Sequence, residues 1–113
     1  TAAFNLNILN VINARFDADF SPQDFRHVSV WNEELSRIEM RLRAQQPVTA
    51  HIAATGVTLR LPPGGELLTE LCCKYSRSLL TDRLTTAGLH LARWTTDDEG
   101  LFALALITKD VPA

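Results

Sequence analysis

Glu70 is the residue whose type and position most strongly suggest chemistry. Residues two apart share a face of a strand, so Glu70 is predicted to point inward with Leu68 and Cys72. An inward carboxylate is costly unless a hydrogen-bond donor or a cation partners it. The partner is either a ligand bound at this face or a neighbouring base, for which Arg41 and Lys74 are the candidates. The residues alone leave both interpretations open.

The adjacent thiols of Cys72 and Cys73 are not predicted to form a disulfide or a nucleophilic site. Neighbouring Cα atoms lie about 3.8 Å apart, whereas ordinary disulfides need at least about 4.4 Å. No histidine stands at a spacing that would activate a cysteine, and no two histidines lie one helical turn apart, so no metal site is predicted either. The lack of a disulfide framework is typical of a reducing, cytoplasmic setting, which is the predicted location.

Met40 lies on the apolar face of a strand predicted over residues 36–44. Ile38, Met40 and Leu42 alternate there with charged side chains, which indicates one buried and one solvated face. On this pattern alone Met40 is most simply a core residue. The intervening arginines are expected to line a solvated face rather than an anion site.

Two helical segments are predicted before that strand. Residues 1–15 carry apolar side chains at helical spacing, and Asn5 and Asn7 are expected on the helix surface or at a cap. Asparagine is a poor helix former, so tertiary packing must hold this helix. Ser21 followed by Pro22 is a helix-start signature, which predicts a short helix to about residue 25 or 27.

The remaining elements are strands, a helix and a hairpin. Strands are predicted over residues 48–53, 57–61 and 66–75. A helix follows from Ser76 or Ser78 to about Ala87, and Gly88 ends it. Residues 89–94 and 101–108 are predicted to form an antiparallel hairpin. This order indicates an α+β fold, with a break in organisation at Ser76.

Composition excludes several classes of function. The net charge of −2, from 11 basic and 13 acidic residues, leaves no electrostatic footprint for nucleic acid. The longest apolar run, residues 101–107, is far shorter than the ~20 residues of a membrane helix, so no membrane partner is predicted. The sequence has none of the glycine-rich patterns that hold nucleotide phosphates.

Several short stretches, taken in order and at their spacing, resemble one enzyme family. They are Thr-Ala-Ala-Phe-Asn-Leu-Asn at 1–7, Phe-Arg-His-Val at 25–28, Trp-Asn at 31–32, Arg-Ile-Glu-Met at 37–40, Thr-Glu-Leu-Cys-Cys-Lys-Tyr at 69–75, Ala-Gly-Leu at 87–89, and Trp94 with Thr96-Asp97. The combination of the strand at 37–40 with the strand at 69–75 is the most specific part. The chain resembles the C-terminal part of the S-adenosylmethionine-dependent L-histidine Nα-methyltransferases of ergothioneine biosynthesis.

The resemblance implies an α+β fragment of a two-part enzyme. Residues 1–75 would belong to the substrate-recognition domain, which binds L-histidine. Residues 76–113 would be the last helix and the antiparallel strand hairpin of a Rossmann-like (class I) methyltransferase sheet. S-adenosylmethionine would be bound by an N-terminal part that this chain lacks, so no cofactor-binding residue is expected here and the fragment is expected to be inactive alone.

The resemblance also assigns a substrate pocket. The enzymes of this family move three methyl groups to the α-amino nitrogen of histidine, giving trimethylhistidine (hercynine). Glu70 would accept a hydrogen bond from the imidazole, Met40 would pack against the ring, and Phe4 would help close the pocket, with the apolar stripe of its own helix as the alternative role. Cys72 stands where the family usually has serine, and a thiol hydrogen-bonds more weakly.

Two other functions remain open on the sequence. The chain could be a non-catalytic binding or assembly module of the same fold, or part of a related methyltransferase that acts on another amino acid, for which Cys72 is the only indication. The terminal hairpin would lack its neighbours in the parent sheet. We therefore expect the isolated chain either to self-associate through exposed strand edges or to pack the hairpin onto its own strands.

Overall fold

The computed structural model describes residues 1–109. Their internal contacts divide them into two compact units, one of which is Thr1–Cys73 and the other of which begins at Lys74. Each unit combines one α-helix with antiparallel strands. The α+β class predicted from the sequence is therefore confirmed.

Helix α1 (Ala2–Phe16) opens the first unit, close to its predicted bounds. Its asparagines favour helix weakly, so burial must stabilise it. Leu9 supplies much of that burial, because it is 1% exposed and belongs to the core that also contains Leu42. The helix ends at Asp17, whose φ of 49° is left-handed and whose N–H donates to the carbonyl of Asn13.

The short helix predicted after Pro22 is mostly wrong. A single turn of 3-10 helix, Pro22–Asp24, is followed directly by strand β1 (Phe25–Asn32). The helix-start signature thus predicts correctly where the helical turn begins, but the turn ends earlier than predicted. Asn13 fixes the chain before this turn, since its Nδ2 donates to the carbonyl of Phe20 at 2.8 Å and its Oδ1 accepts from the N–H of Phe20 at 2.9 Å.

Five strands make up the rest of the first unit. After β1 they are β2 (Arg37–Ala44), β3 (Val48–Ile52), β4 (Val57–Leu61) and β5 (Glu66–Cys73). Strands β1, β2 and β5 form an antiparallel sheet with β2 in the centre, and β3 and β4 form a separate hairpin. The four strands β2 to β5 lie close to the bounds predicted from period-two alternation.

The three-stranded sheet has two chemically different faces. On the helix side, Phe25, Leu42 and Ala44 are buried in the core with Leu9 of α1. On the charged side, β2 presents its glutamate and its arginines, Arg37, Glu39, Arg41 and Arg43. Since residues of one strand alternate between faces, Met40 lies on the helix side. The helix side is therefore where α1 and the candidate pocket residues meet.

The second unit contains helix α2 (Arg77–Thr86) and the antiparallel pair β6 (His90–Thr96) and β7 (Ala103–Thr108). Ser76 caps α2, as predicted, because its Oγ accepts from the N–H of Leu79 at 3.2 Å. Gly88 follows α2 with a φ of 74°, the left-handed conformation that glycine adopts without strain. The predicted hairpin is confirmed. Within residues 1–109 there is no helix long and apolar enough to cross a membrane.

Candidate functional site

Strand β5 contains an irregularity beside Glu70. Met40 pairs with Glu70 and the next residue, Arg41, pairs with Leu68, so Thr69 is an extra residue on β5. This is a β-bulge, in which two residues of one strand oppose a single residue of its partner. Consequently Glu70 lies on the helix side with Met40, whereas Leu68 lies on the charged side with Arg41.

The bulge corrects the prediction that Leu68 and Glu70 share a face. Simple alternation fails at Thr69, and Leu68 is 53% exposed. Cys72, which pairs with Ile38, does lie on the side of Glu70 as predicted. The inward orientation predicted for Glu70 is also wrong in one respect, because the side chain faces the helix side of the sheet but is exposed there.

The alternative role for Glu70, an ion pair with Arg41, is wrong. Arg41 lies on the charged side, where it is bonded to Glu39 and to Glu66. Among residues 1–109, no hydrogen bond or salt bridge to the Glu70 carboxylate is found. Its oxygens are therefore free to accept hydrogen bonds from a ligand.

A groove of about 200 Å³ separates the first half of α1 from the bulge of β5. We call it the α1–β5 groove. Its walls are Phe4, Asn5, Asn7, Ile8, Val11, Thr69 and Glu70. The structure thus brings two of the four predicted substrate-binding residues, Phe4 and Glu70, to one groove. Phe4 is 74% exposed, so its ring is not part of the helix's core stripe, which was the alternative role.

The other two predicted residues lie beside the groove rather than in its walls. Met40 is directly opposite Glu70 across the strand pair and is half-buried. Cys72 is also half-buried on the same side, and both it and Cys73 are free thiols. Glu70, Met40 and Cys72 therefore form one contiguous patch on the helix side of the sheet, continuous with the α1–β5 groove.

Asn5 holds this site together, which the sequence did not predict. It was expected on the helix surface, but it is only 4% exposed. Its Nδ2 donates to His27 Nδ1 at 2.8 Å and to the carbonyl oxygen of Arg41 at 3.2 Å, and its Oδ1 accepts from the hydroxyl of Thr69. One side chain of α1 therefore contacts all three strands of the sheet. The available signal was its position four residues before Leu9, on the buried stripe.

The partners of Asn5 also determine how its amide is oriented. The carbonyl of Arg41 can only accept, so the NH₂ group of Asn5 must face it. The same NH₂ group then donates to His27 Nδ1, which is the acceptor in this bond. The oxygen of Asn5 is left to face Thr69. The network thus has one consistent arrangement of donors and acceptors.

The charged side of the sheet holds a ladder of five ionised groups. Glu39 is 3% exposed and is bonded to Arg41 and Arg37, while Glu66 is bonded to Arg41 and Arg43. Hydrogen bonds from Arg41 and then from Arg37 lower the pKa of Glu39 to about 2. The arginines of the predicted solvated face are partly exposed, and each is paired with a carboxylate of β2 or β5.

The glycines of the described chain do not fit a site for S-adenosylmethionine. Gly56, Gly64, Gly65 and Gly100 lie in segments that join strands to strands, and Gly88 follows the end of α2. A class I methyltransferase would need a glycine-rich turn between a strand and the start of a helix, where backbone can approach the cofactor closely. No group of side chains suited to a metal ion occurs among residues 1–109.

Comparisons with known proteins show which family the chain resembles. A family model described as histidine-specific methyltransferase, SAM-dependent, matches residues 1–109. The chain is 43% identical to the histidine N-alpha-methyltransferase of Mycobacterium tuberculosis and 40% identical to that of Mycolicibacterium smegmatis, in each case over 109 residues. These alignments cover 96% of this chain and 34% of each relative, so the chain spans about a third of the length of the curated relatives it matches. The chain belongs to the histidine-specific, S-adenosylmethionine-dependent methyltransferase family.

Proposed function

We propose that this chain is the C-terminal, histidine-recognising portion of an enzyme that transfers methyl groups from S-adenosylmethionine to the α-amino nitrogen of L-histidine. The observation that carries the proposal is the exposed Glu70 carboxylate beside the α1–β5 groove, in a chain that belongs to this family. The names of the relatives at 40% and 43% identity support histidine as the substrate.

Glu70 recognises the imidazole in this proposal. A carboxylate accepts a hydrogen bond from a ring N–H, and such a charge-assisted bond contributes about 1.5–3 kcal/mol. An apolar amino acid could not supply that donor. Glu70 therefore selects histidine over apolar amino acids.

The neighbours of Glu70 complete the ring site. Met40, opposite Glu70 on β2, packs its sulfur against the imidazole, a contact of about 0.3–1.5 kcal/mol. Cys72 provides a weak hydrogen-bonding thiol at the same patch. Phe4, exposed at the start of α1, closes the groove over the bound ring. None of these four residues is catalytic, since they hold the part of the substrate that does not react.

The contribution of this chain to the reaction is orientation. S-adenosylmethionine supplies the methyl group, and we propose that it is bound by a part of the enzyme outside this chain. The α-amino nitrogen must be an uncharged amine, because an ammonium has no lone pair. By fixing the imidazole, the chain holds that nitrogen where it can meet the methyl group in line.

We further propose the division of labour between the two units. Residues 1–75 form part of the histidine-recognition domain, and residues 76–113 provide the last helix and the strand hairpin of a Rossmann-like methyltransferase sheet. The break in internal contacts after Cys73 supports this division. So do the exposed apolar side chains of β7, Leu104 and Leu106, which a larger sheet and its covering helices would bury.

The first test is the activity of the full-length protein that carries this chain. We expect it to convert histidine and S-adenosylmethionine into trimethylhistidine, detected by mass spectrometry. Tryptophan and leucine are the comparison substrates, and a preference for either of them would replace histidine as the proposed substrate.

The second test measures whether the methyl donor binds to this chain. Isothermal titration of the 113-residue chain with S-adenosylmethionine is expected to give no binding heat. Micromolar affinity would contradict the proposal that the donor is bound outside this chain.

A further inference from the structure

The bulge of β5 determines where the Glu70 side chain points. In an uninterrupted antiparallel pair, Glu70 and Leu68 would share a face; the extra residue, Thr69, places them on opposite faces. A bulge leaves its extra residue outside the regular ladder of hydrogen bonds, so other contacts must hold it. The contacts that hold Thr69 therefore also determine the direction in which the Glu70 side chain points.

Thr69 is held by its hydroxyl. Its Oγ1 lies 3.0 Å from the carbonyl oxygen of Met40, directly across the strand pair, and also donates to Asn5 Oδ1. Both neighbours are acceptors, so the single hydroxyl proton serves this pair of oxygens and leaves the hydroxyl without a proton for a ligand. Asn5 is in turn fixed by His27 and by the carbonyl of Arg41.

We propose that Thr69 and Asn5 are positioning residues for histidine recognition, which act by holding the β5 bulge so that Glu70 projects into the α1–β5 groove. The inference rests on the proposed role of Glu70. Thr69 and Asn5 line the groove, but their polar groups are bonded within the protein and make no hydrogen bond to the imidazole. Because α1 is packed against the sheet, Asn5 holds Thr69 in place and thereby fixes the direction of the Glu70 side chain. The Glu70 carboxylate itself has no hydrogen-bond or ion-pair partner among residues 1–109.

The test is a substitution series at Thr69 in the full-length enzyme. Thr69→Val keeps the shape and removes the hydroxyl, Thr69→Ser keeps the hydroxyl, and Thr69→Cys retains a weaker hydrogen-bonding group. We expect Thr69→Val to raise KM for histidine about 3- to 10-fold with kcat little changed, since a neutral hydrogen bond is worth about one kcal/mol. Thr69→Ser should restore the wild-type KM, and Thr69→Cys should fall between Ser and Val. Each melting temperature is measured, and the Ser and Cys variants carry the test if Thr69→Val does not fold.

Combination with Glu70→Ala separates positioning from a direct contact or a general structural role. If Thr69 acts through Glu70, the effect of Thr69→Val on KM disappears in the Glu70→Ala background. An effect that persists there, or a Thr69→Val enzyme with the wild-type KM, would overturn the positioning role and leave the proposed function intact. Glu70→Ala with unchanged histidine recognition would instead overturn the proposed function.

Substitution of Asn5 is a second, independent test of the proposal, and the same helix offers a matched control residue. Asn10 is an exposed asparagine of α1 whose Nδ2 donates to Asn7 Oδ1 at 3.3 Å, and it contacts none of the three strands through the side-chain bonds found among residues 1–109. Asn5→Ser is expected to raise KM for histidine in the same way as Thr69→Val, without a further increase when both are combined. Asn10→Ala should leave KM unchanged. Equal effects of Asn5→Ser and Asn10→Ala would contradict the proposal.

Discussion

Two kinds of polar side chain occur in this chain, those that are bonded within the protein and those that are left without a partner among the described residues. Asn5 and Glu39 are buried polar groups whose hydrogen-bonding capacity is met by the protein itself. Glu70 is a polar group that the described residues leave without a partner. Buried polar groups need partners and exposed ones do not, so the first class holds the sheet together and the second is available to a ligand.

Cys72 offers a prediction with an internal control. Cys72→Ser in the full-length enzyme is expected to lower KM for histidine about 3- to 10-fold, since a hydroxyl hydrogen-bonds more strongly than a thiol. Cys73→Ser is the matched control, because Cys73 pairs with Arg37 on the charged side of the sheet. The prediction fails if both serine variants change KM equally or if neither does.

A Leu→Ala substitution is expected to lower the free energy of unfolding by different amounts on the two faces of the sheet. Leu42 is 0% exposed in the core, so Leu42→Ala is expected to lower the free energy of unfolding by about 2–5 kcal/mol. Leu68 is 53% exposed beyond the bulge, and Leu68→Ala should cost less than about 1 kcal/mol. Urea unfolding of the chain measures both values. Equal costs would show that Leu68 is buried and that the assigned bulge is wrong.

The charged ladder on β2 and β5 predicts acid sensitivity. The Arg41 and Arg37 guanidinium groups lower the pKa of Glu39 from 4.5 to about 2, so the native state binds its proton less readily than the unfolded chain does. The stabilisation is fully present above pH 4.5 and is lost as the pH falls towards 2. Glu66 acts in the same direction, since desolvation is outweighed by hydrogen bonds from Arg43 and Arg41 that lower its pKa.

Glu39→Gln tests this ladder. The variant is expected to be less stable than wild type at neutral pH, because two arginines lose their buried acceptor, and to lose less stability between pH 4.5 and pH 2. Glu34→Gln, in the exposed turn between β1 and β2, is the control. Parallel stability curves for wild type and Glu39→Gln would contradict the assigned shift.

Periodicity explains which elements could be predicted from the sequence. Helices α1 and α2 and strands β2 to β7 follow the 3.6- and 2-residue patterns or clear turn signals. Strand β1 does not have one apolar and one polar face. Both of its faces mix the two kinds of side chain: one carries Phe25, His27, Ser29 and Trp31, and the other carries Arg26, Val28 and Val30. The bulge at Thr69 has no signature in one sequence, because it is defined by pairing with β2. The candidate residues could therefore be named from the resemblance, whereas their relative placement could not.

At the scale of the whole chain, the β6–β7 hairpin predicts self-association. Among the described residues, β6 and β7 form a two-stranded sheet with no third strand, and Leu104 and Leu106 are exposed. We expect the isolated 113-residue chain to form dimers or larger species, because an apolar strand with a free edge is a template for pairing. Size-exclusion chromatography with light scattering measures this.

A double substitution supplies the control for self-association. Leu104→Lys combined with Leu106→Lys places charge on the exposed face of β7 and is expected to shift the chain towards monomer. A wild-type chain that is already monomeric at high micromolar concentration would contradict the prediction.

The central claim is that Glu70 makes this chain the histidine-recognising part of a methyltransferase. The most direct measurement is kcat/KM for histidine and for leucine in the full-length enzyme, with wild type, Glu70→Ala and the exposed control Glu34→Ala compared. We predict that Glu70→Ala lowers kcat/KM for histidine about 10- to 100-fold, in line with one charge-assisted hydrogen bond, and reduces the preference for histidine over leucine, which has no N–H to donate. An unchanged preference in Glu70→Ala would contradict the account.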